Sequence, residues 1–326
     1  MSVENNRIEN DSTLKKEILF LDPVCTENIW GGSRLKEEFH YPSAGEQTGE
    51  CWGISAHPNG DGTVKNGTFA GMHLSEVWNA HPQLFGSDGR GEFPLLAKII
   101  DAREDLSIQV HPDDRYAREH ENGANGKTEC WYILDCDQPA SLIIGHEART
   151  KEELIQMIEE DRWTQLLREV PVQKGDFIKI EPGTVHAIKG GCLIFETQQN
   201  SDVTYRLYDY GRLSNGRPRE LHLDKSIDVI RVPAAEMDQC IVSAETVSEN
   251  QMHQLLDCDY FTIFKMVVKG EAKLEQTYPF LAVSVLEGSG FIDEHPVQKG
   301  DHLILPFGYG SVCLRGEMML MASTKR

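Results

Sequence analysis

The sequence predicts a mainly β protein built from two jelly-roll barrels or sandwiches with helical insertions. Three observations predict it. Short runs rich in Ile, Leu and aromatics recur along the chain, each bounded by Gly, Pro, Asp or Asn. The pentapeptide VQKGD occurs twice, at Val172–Asp176 and Val297–Asp301, and each copy runs on into alternating apolar residues and then Pro and Gly. Helical periodicity is confined to a few stretches that read as insertions between strands.

Taken in order, residues 1–16 are polar, with no apolar core of the kind a secretory leader needs, and read as a solvated tail. Strands are predicted at 17–21, 93–101, 106–110, 130–136, 140–145, 176–180 and 192–198, and again at 260–268, 280–288, 290–294, 302–306 and 317–323. Helices are predicted at 73–86, 113–122, 149–170 and 221–230. The longest opens on Thr150 with Glu153 three residues later, the capping-box pattern. The polar stretch 235–255 reads as a crossover. The expected organisation is a metal-binding catalytic unit over 17–235 and a second, metal-free unit over 236–326.

The repeat has a structural meaning. Gly-x₅-Pro-x-Gly resembles the strand–turn–strand signature of the cupin jelly roll. The second copy fits it, with Gly300, Pro306 and Gly308. The first is a variant with one more residue, Gly175 then Pro182-Gly183-Thr184-Val185-His186. Only the first copy carries a His after the turn; the second has Gly308-Tyr309-Gly310 there.

Bulk properties exclude several functions. The chain has 326 residues and a formal net charge of −20, which opposes broad nucleic-acid binding and attraction to an anionic membrane surface. No apolar run reaches the roughly 18 residues of a membrane helix. The eight Cys are scattered with no C-x-x-C pair, which fits reduced thiols in a cytoplasmic protein rather than a Cys₄ zinc site.

The chemistry-bearing residues lie at strand spacing. In LSIQVHPDD, Gln109 and His111 are two apart and share a strand face; in GKTECWYIL, Lys127 and Glu129 do the same; PGTVHAI supplies His186 after a tight turn. Each alone is more often a packed or solvated side chain. Together, two imidazoles, a carboxylate and an amide make a ligand set for a Lewis-acidic divalent ion, with Zn²⁺ favoured over Fe²⁺, Mn²⁺ or Co²⁺. A second cluster, FETQQNSDVTYRLYDYGR, contributes Glu196, Asp202 and Arg206. In sequence Arg206 stands among Tyr205, Tyr208 and Tyr210, an environment that could hold a guanidinium over a polar ligand.

These segments, with IWGG (29–32) and GECWGISAHPNG (49–60), resemble the type I mannose-6-phosphate isomerase family in its short bacterial form. The resemblance implies a zinc enzyme of the cupin superfamily that interconverts mannose 6-phosphate and fructose 6-phosphate. It implies zinc ligands at Gln109, His111, Glu129 and His186, an essential arginine at Arg206, and a lysine engaged in proton transfer at Lys127. Asp202 and Glu196 match other acidic site residues, and Lys98 and Ser107 match positions proposed to receive the phosphate. The separation of 18 positions from His111 to Glu129 departs from a generic cupin but follows the isomerase pattern. The general base is open between Lys127, a metal-bound hydroxide, Asp202 and Glu196. The alternatives are a cupin-type glucose-6-phosphate isomerase and a non-catalytic sugar-phosphate-binding bicupin. The expected partner is a small sugar phosphate, with neither nucleic acid nor membrane, and the expected state is a cytoplasmic monomer.

Overall fold

The computed structural model describes residues 16–236, 240–242 and 247–326. The predicted tail lies, except for its last residue, outside the described residues, as does part of the predicted crossover. The main strands in chain order are β1 (Leu19–Asp22), β2 (Val24–Gly32), β3 (Thr48–Ile54), β4 (Leu95–Ala102), β5 (Ile108–Val110), β6 (Glu129–Cys136) and β7 (Ala140–His146). There follow β8 (Leu167–Val172), β9 (Phe177–Ile180), β10 (His186–Ile188), β11 (Cys192–Gln199) and β12 (Tyr205–Tyr208). The C-terminal set is β13 (Met252–Asp257), β14 (Phe261–Gln276), β15 (Leu281–Ile292), β16 (His295–Gln298), β17 (His302–Leu305) and β18 (Gly310–Lys325).

They form three antiparallel sheets, none closed on itself among the described residues, so the architecture is layered rather than a sealed barrel. A central sheet runs β9-β6-β11-β4-β2-β3, extended beyond β9 by Ile241–Val242. A second sheet runs β8-β7-β10-β5-β12. The C-terminal sheet runs β13-β14-β18-β15-β17-β1 and ends on Thr63–Val64, with β16 on the side of β15. The N-terminal strand β1 therefore belongs to the C-terminal sheet, with Leu19 opposite Ile304 and Leu21 opposite His302.

The middle of the central sheet is buried on both faces, which is why β4, β6 and β11 read as largely apolar runs. Ile100, Trp131, Ile133, Ile178 and Ile194 pack toward Leu142, Ile144 and Ile188 of the second sheet. Cys51, Phe93, Tyr132, Phe177 and Phe195 share a core with Phe261, Phe280, Ile304 and Met319 of the C-terminal sheet. Helices cover the outer face of the second sheet, where Leu154, Met157 and Ile158 meet Ile143, Val185 and Leu207.

The two VQKGD copies build one device. Gly175 and Gly300 both have φ 96°, reached at low cost only by glycine. Asp176 and Asp301 each accept through Oδ2 from the backbone N–H of the Gln three residues earlier, at 2.9 and 2.8 Å. Each glycine N–H donates at 2.8 Å to the strand it abuts, at Ile133 and Val285.

Helices form at Leu74–Ala80, Asp114–His120, Lys151–Glu159, Trp163–Leu166 and Leu223–Val229. Thr150 caps as predicted, accepting from the Glu153 N–H. The helix predicted to run through residue 170 stops earlier: Asp161 turns left-handed at φ 52°, and Leu167–Val172 becomes β8, paired with β7. Residues 280–294, predicted as two strands, are one long strand through Ile292.

Candidate active site and metal centre

The site lies between the central and second sheets, and two rows of cross-strand neighbours build it. Across the second sheet, Ile144, His186, Gln109 and Arg206 stand side by side. Across the central sheet, Trp52, Lys98, Glu196 and Trp131 stand side by side, with Leu96, Gln198 and Glu129 in the next row. Directly opposed residues of an antiparallel pair put their side chains on the same face. Within these rows, register alone therefore makes direct neighbours of residues up to 102 positions apart in sequence, Leu96 and Gln198.

The predicted ligands converge. One ligand atom each of His111, Glu129 and His186 lies within 4.8 Å of the others, and all three residues are buried. His111 Nε2 is 3.5 Å and His186 Nε2 3.3 Å from the Glu129 carboxylate. Each imidazole uses Nδ1 on a backbone carbonyl, His111 on Val203 at 2.9 Å and His186 on Thr184 at 2.8 Å. That bond fixes the tautomer with a proton on Nδ1 and a lone pair on Nε2, the arrangement of a metal-bound histidine. Burial lowers both imidazoles, His111 to about 3, so neither is charged near neutrality. Burial pushes the Glu129 carboxyl up, but the Lys127 ammonium opposes it and Glu129 lies well below its ordinary value. His111 Nε2 and both Glu129 oxygens are buried and form no well-aligned hydrogen bond, although the Lys127 ammonium lies 3.0 Å from Glu129 Oε2. Buried polar atoms are normally partnered, so this donor set fits a cation. The Gln109 amide lies 3.3 Å from His186 Nε2, and a half-turn of its last torsion presents oxygen instead of nitrogen there.

Beside this cluster opens a cavity of about 350 Å³. Lys98, Ser107, Gln109, Lys127, Glu196, Asp202 and Arg206, all predicted from the sequence, line it. Lys127 Nζ is 3.0 Å from Glu129 and 3.9 Å from Glu196. Glu196 accepts from the Trp131 indole N–H at 2.8 Å. Burial raises the Glu196 carboxyl, Glu129 adds to the rise, and the two lysines only partly offset it. Lys98 sits 3.1 Å from Glu50 and 3.3 Å from Glu196. Burial lowers Lys98, but the surrounding carboxylates outweigh it and keep it firmly charged. Asp202 lies at the rim with its side chain 44% exposed, accepting from Asn59 Nδ2 at 2.5 Å, with His57 at 3.6 Å. Arg206 donates through Nε to Ser107 Oγ at 3.3 Å and through Nη1 to the Glu220 carbonyl at 3.0 Å.

Sequence reasoning did not single out Glu50, Trp52, Arg219 or His222, which also line the cavity. Glu50 and Trp52 stood in a quoted motif, and their i, i+2 spacing on a strand was the available signal. Arg219 and His222 come from a loop after β12, where no periodicity marks them. Asp209 anchors Arg219 at 2.5 and 2.7 Å.

Comparison with known proteins matches this geometry. Residues 18–139 match the family described as phosphomannose isomerase type I, catalytic domain. Residues 251–325 match the mannose-6-phosphate isomerase cupin domain. Mannose-6-phosphate isomerase ManA of Bacillus subtilis (strain 168) is 50% identical over 305 residues, 92% of this chain and 96% of that protein. The mannose-6-phosphate isomerase of Streptococcus mutans serotype c (strain ATCC 700610 / UA159) is 46% identical over 94% of this chain and 98% of its own. The crystal structure of the mannose 6-phosphate isomerase from Bacillus subtilis superposes with a TM-score of 0.84 at 44% identity, covering 94% of this chain and 99% of that one. A putative mannosephosphate isomerase from Archaeoglobus fulgidus superposes with a TM-score of 0.77 at 19% identity, covering 97% of this chain and 99% of that one, a likeness of fold.

Proposed function

The chain belongs to the type I mannose-6-phosphate isomerase family, and we infer that it catalyses the reversible interconversion of mannose 6-phosphate and fructose 6-phosphate. One observation carries this reading: a buried His–Glu–His cluster with unpartnered ligand atoms adjoins a cavity lined by both proton-bearing and cationic side chains.

His111, Glu129, His186 and Gln109 would hold one divalent ion, for which we propose zinc. Such an ion supplies positive charge to the oxygens on C1 and C2 as an enediolate develops between them. The chain's own residues move the protons. Lys127 Nζ and the Glu196 carboxyl, 3.9 Å apart beside the cluster, form the proton-transferring pair. We assign the movement of the proton between C2 and C1 to Lys127 Nζ. Glu196, whose carboxyl burial pushes above its ordinary value, exchanges a proton with a substrate oxygen. Asp202 guards the rim, where Asn59 and His57 fix it.

The phosphate falls to Ser107 and Arg206 in this reading. Among the described residues no carboxylate lies within ion-pair distance of Arg206, whereas Lys98 already faces two. A phosphate at Lys98 would therefore meet Glu50 and Glu196 first. The second sheet and the central sheet would form the catalytic unit over 17–235, and the metal-free unit over 236–326 would back it. We propose a monomer in the cytoplasm. Every cysteine of the chain is free, as a reducing compartment requires, and no helix of the described residues is long and apolar enough to cross a membrane.

The test is conversion of mannose 6-phosphate to fructose 6-phosphate by the purified chain of measured metal content, before chelation, after it, and after zinc return. Loss on chelation and recovery with zinc are expected. A metal-loaded protein that leaves mannose 6-phosphate untouched but turns over glucose 6-phosphate would reverse the assignment.

A further inference from the structure

One polar group on the cavity wall has no part in the proton transfers above. Gln198 follows Glu196 by two residues on β11, so both side chains leave the same face of the strand. In register it stands opposite Glu129 on one side and Leu96 on the other. It lines the cavity, yet the residue as a whole is only 1% exposed. Its Nε2 donates to two backbone carbonyls, Gln199 at 2.8 Å and Ser201 at 2.6 Å. Those two acceptors fix the amide, because the reversed orientation would set Oε1 against two carbonyl oxygens. With the nitrogen turned to the backbone, Oε1 is the atom left without a protein partner on a side chain that lines the cavity. That oxygen is buried and receives no hydrogen bond from the protein. The substrate is then the natural source of the donor, since ligand pockets place a few fixed polar groups for that purpose.

We propose that Gln198 is a specificity-determining residue whose Oε1 accepts a hydrogen bond from the C3 hydroxyl of the sugar. The inference rests on the isomerase reading. In that reading O1 and O2 lie at the His–Glu–His cluster. Gln198 is the neighbour of Glu129 across the sheet, one strand spacing of about 4.8 Å away. The next hydroxyl along the sugar from the reacting carbons is the one on C3. An acceptor with no donor of its own favours a sugar that presents that hydroxyl and disfavours one that leaves the oxygen unpaired.

The test measures kcat/KM on mannose 6-phosphate and on its 3-deoxy and 4-deoxy analogues, for the wild-type enzyme and for Gln198→Met, a near-isostere without the acceptor. The wild type is expected to lose about 10- to 100-fold on the 3-deoxy analogue, the range for one buried hydrogen bond. Gln198→Met is expected to lose a similar factor on mannose 6-phosphate and nothing further on the 3-deoxy analogue. Both enzymes should treat the 4-deoxy analogue alike, relative to their own rate on mannose 6-phosphate. A wild type that processes the 3-deoxy analogue as well as mannose 6-phosphate overturns the inference without any variant. So does a Gln198→Met enzyme that retains the full 3-deoxy penalty, the mark of a merely structural role. A wild type inactive on mannose 6-phosphate overturns the isomerase reading itself, and this inference with it.

Discussion

Lys98 sits between the half-buried Glu50 and the buried Glu196, and each carboxylate takes an indole N–H as well, Glu50 from Trp52 and Glu196 from Trp131, both at 2.8 Å. The ammonium holds two negative charges together in a space with little water. Removing it leaves both uncompensated, so Lys98→Met should cost about 3–5 kcal/mol of stability, read by denaturant unfolding. A loss below 1 kcal/mol would mean that water or a proton replaces the ammonium easily. Lys127 behaves differently in this account. Lys127→Met should lower kcat by about 10²- to 10⁴-fold while bound metal, measured by atomic absorption, stays equimolar. His111→Ala should lose the metal together with the activity. The ligand positions were legible in the sequence because i, i+2 spacing is a local property of strands. The commitment of Lys98 to Glu50 was not, because it depends on register between β3 and β4, and nothing local in either segment encodes it.

Elements show the same division between local and long-range information. Alternating or continuous apolar runs marked β4, β6, β11 and the long C-terminal strands. The strands β2 and β3 were missed: they carry Glu, Thr and several Gly, and only their neighbours in the central sheet make them strands. The short strand β10 was hidden behind its turn. The end of the helix at Glu159 depends on a left-handed Asp161, a conformation that Asp tolerates but does not announce. The VQKGD device was legible because its glycine and its aspartate each have one job. Gly175→Ala and Gly300→Ala should each cost about 1–2 kcal/mol by forcing a side chain into positive φ. Thermal unfolding of the pair would show whether the two copies cost the same. If the costs differ by more than about 2 kcal/mol, strand contacts rather than the turn dominate.

At the scale of the molecule, His302 joins the parts. The second VQKGD copy is followed by this histidine where the first has Phe177. Its ring bonds the Tyr41 hydroxyl through Nε2 and the Ser284 hydroxyl through Nδ1, both at 2.8 Å. It also fills the space left by Gly53 on β3, where any Cβ would collide with the imidazole. Burial lowers its pKa from 6.5 to about 3, with Lys65 adding to the shift. The unfolded chain takes up this proton near pH 6.5, whereas the folded chain resists it down to about pH 3. The stability it contributes is therefore complete above pH 6.5 and declines as pH falls through that window. Between pH 7 and pH 5 this one group should remove about 2 kcal/mol, and His302→Gln should flatten that slope in urea titrations. Metal removal acts separately: chelation should lower Tm, because a cation at 1,000 times its Kd adds about 4 kcal/mol to the folded state. Finally, β1 lies in a sheet whose other main strands begin at Met252. On the ribosome, the strand made first waits for partners made last. During nearly the whole of synthesis, β1 has only the two-residue strand Thr63–Val64 beside it, and the emerging chain depends on chaperones or on speed to keep the other edge from pairing with a stranger.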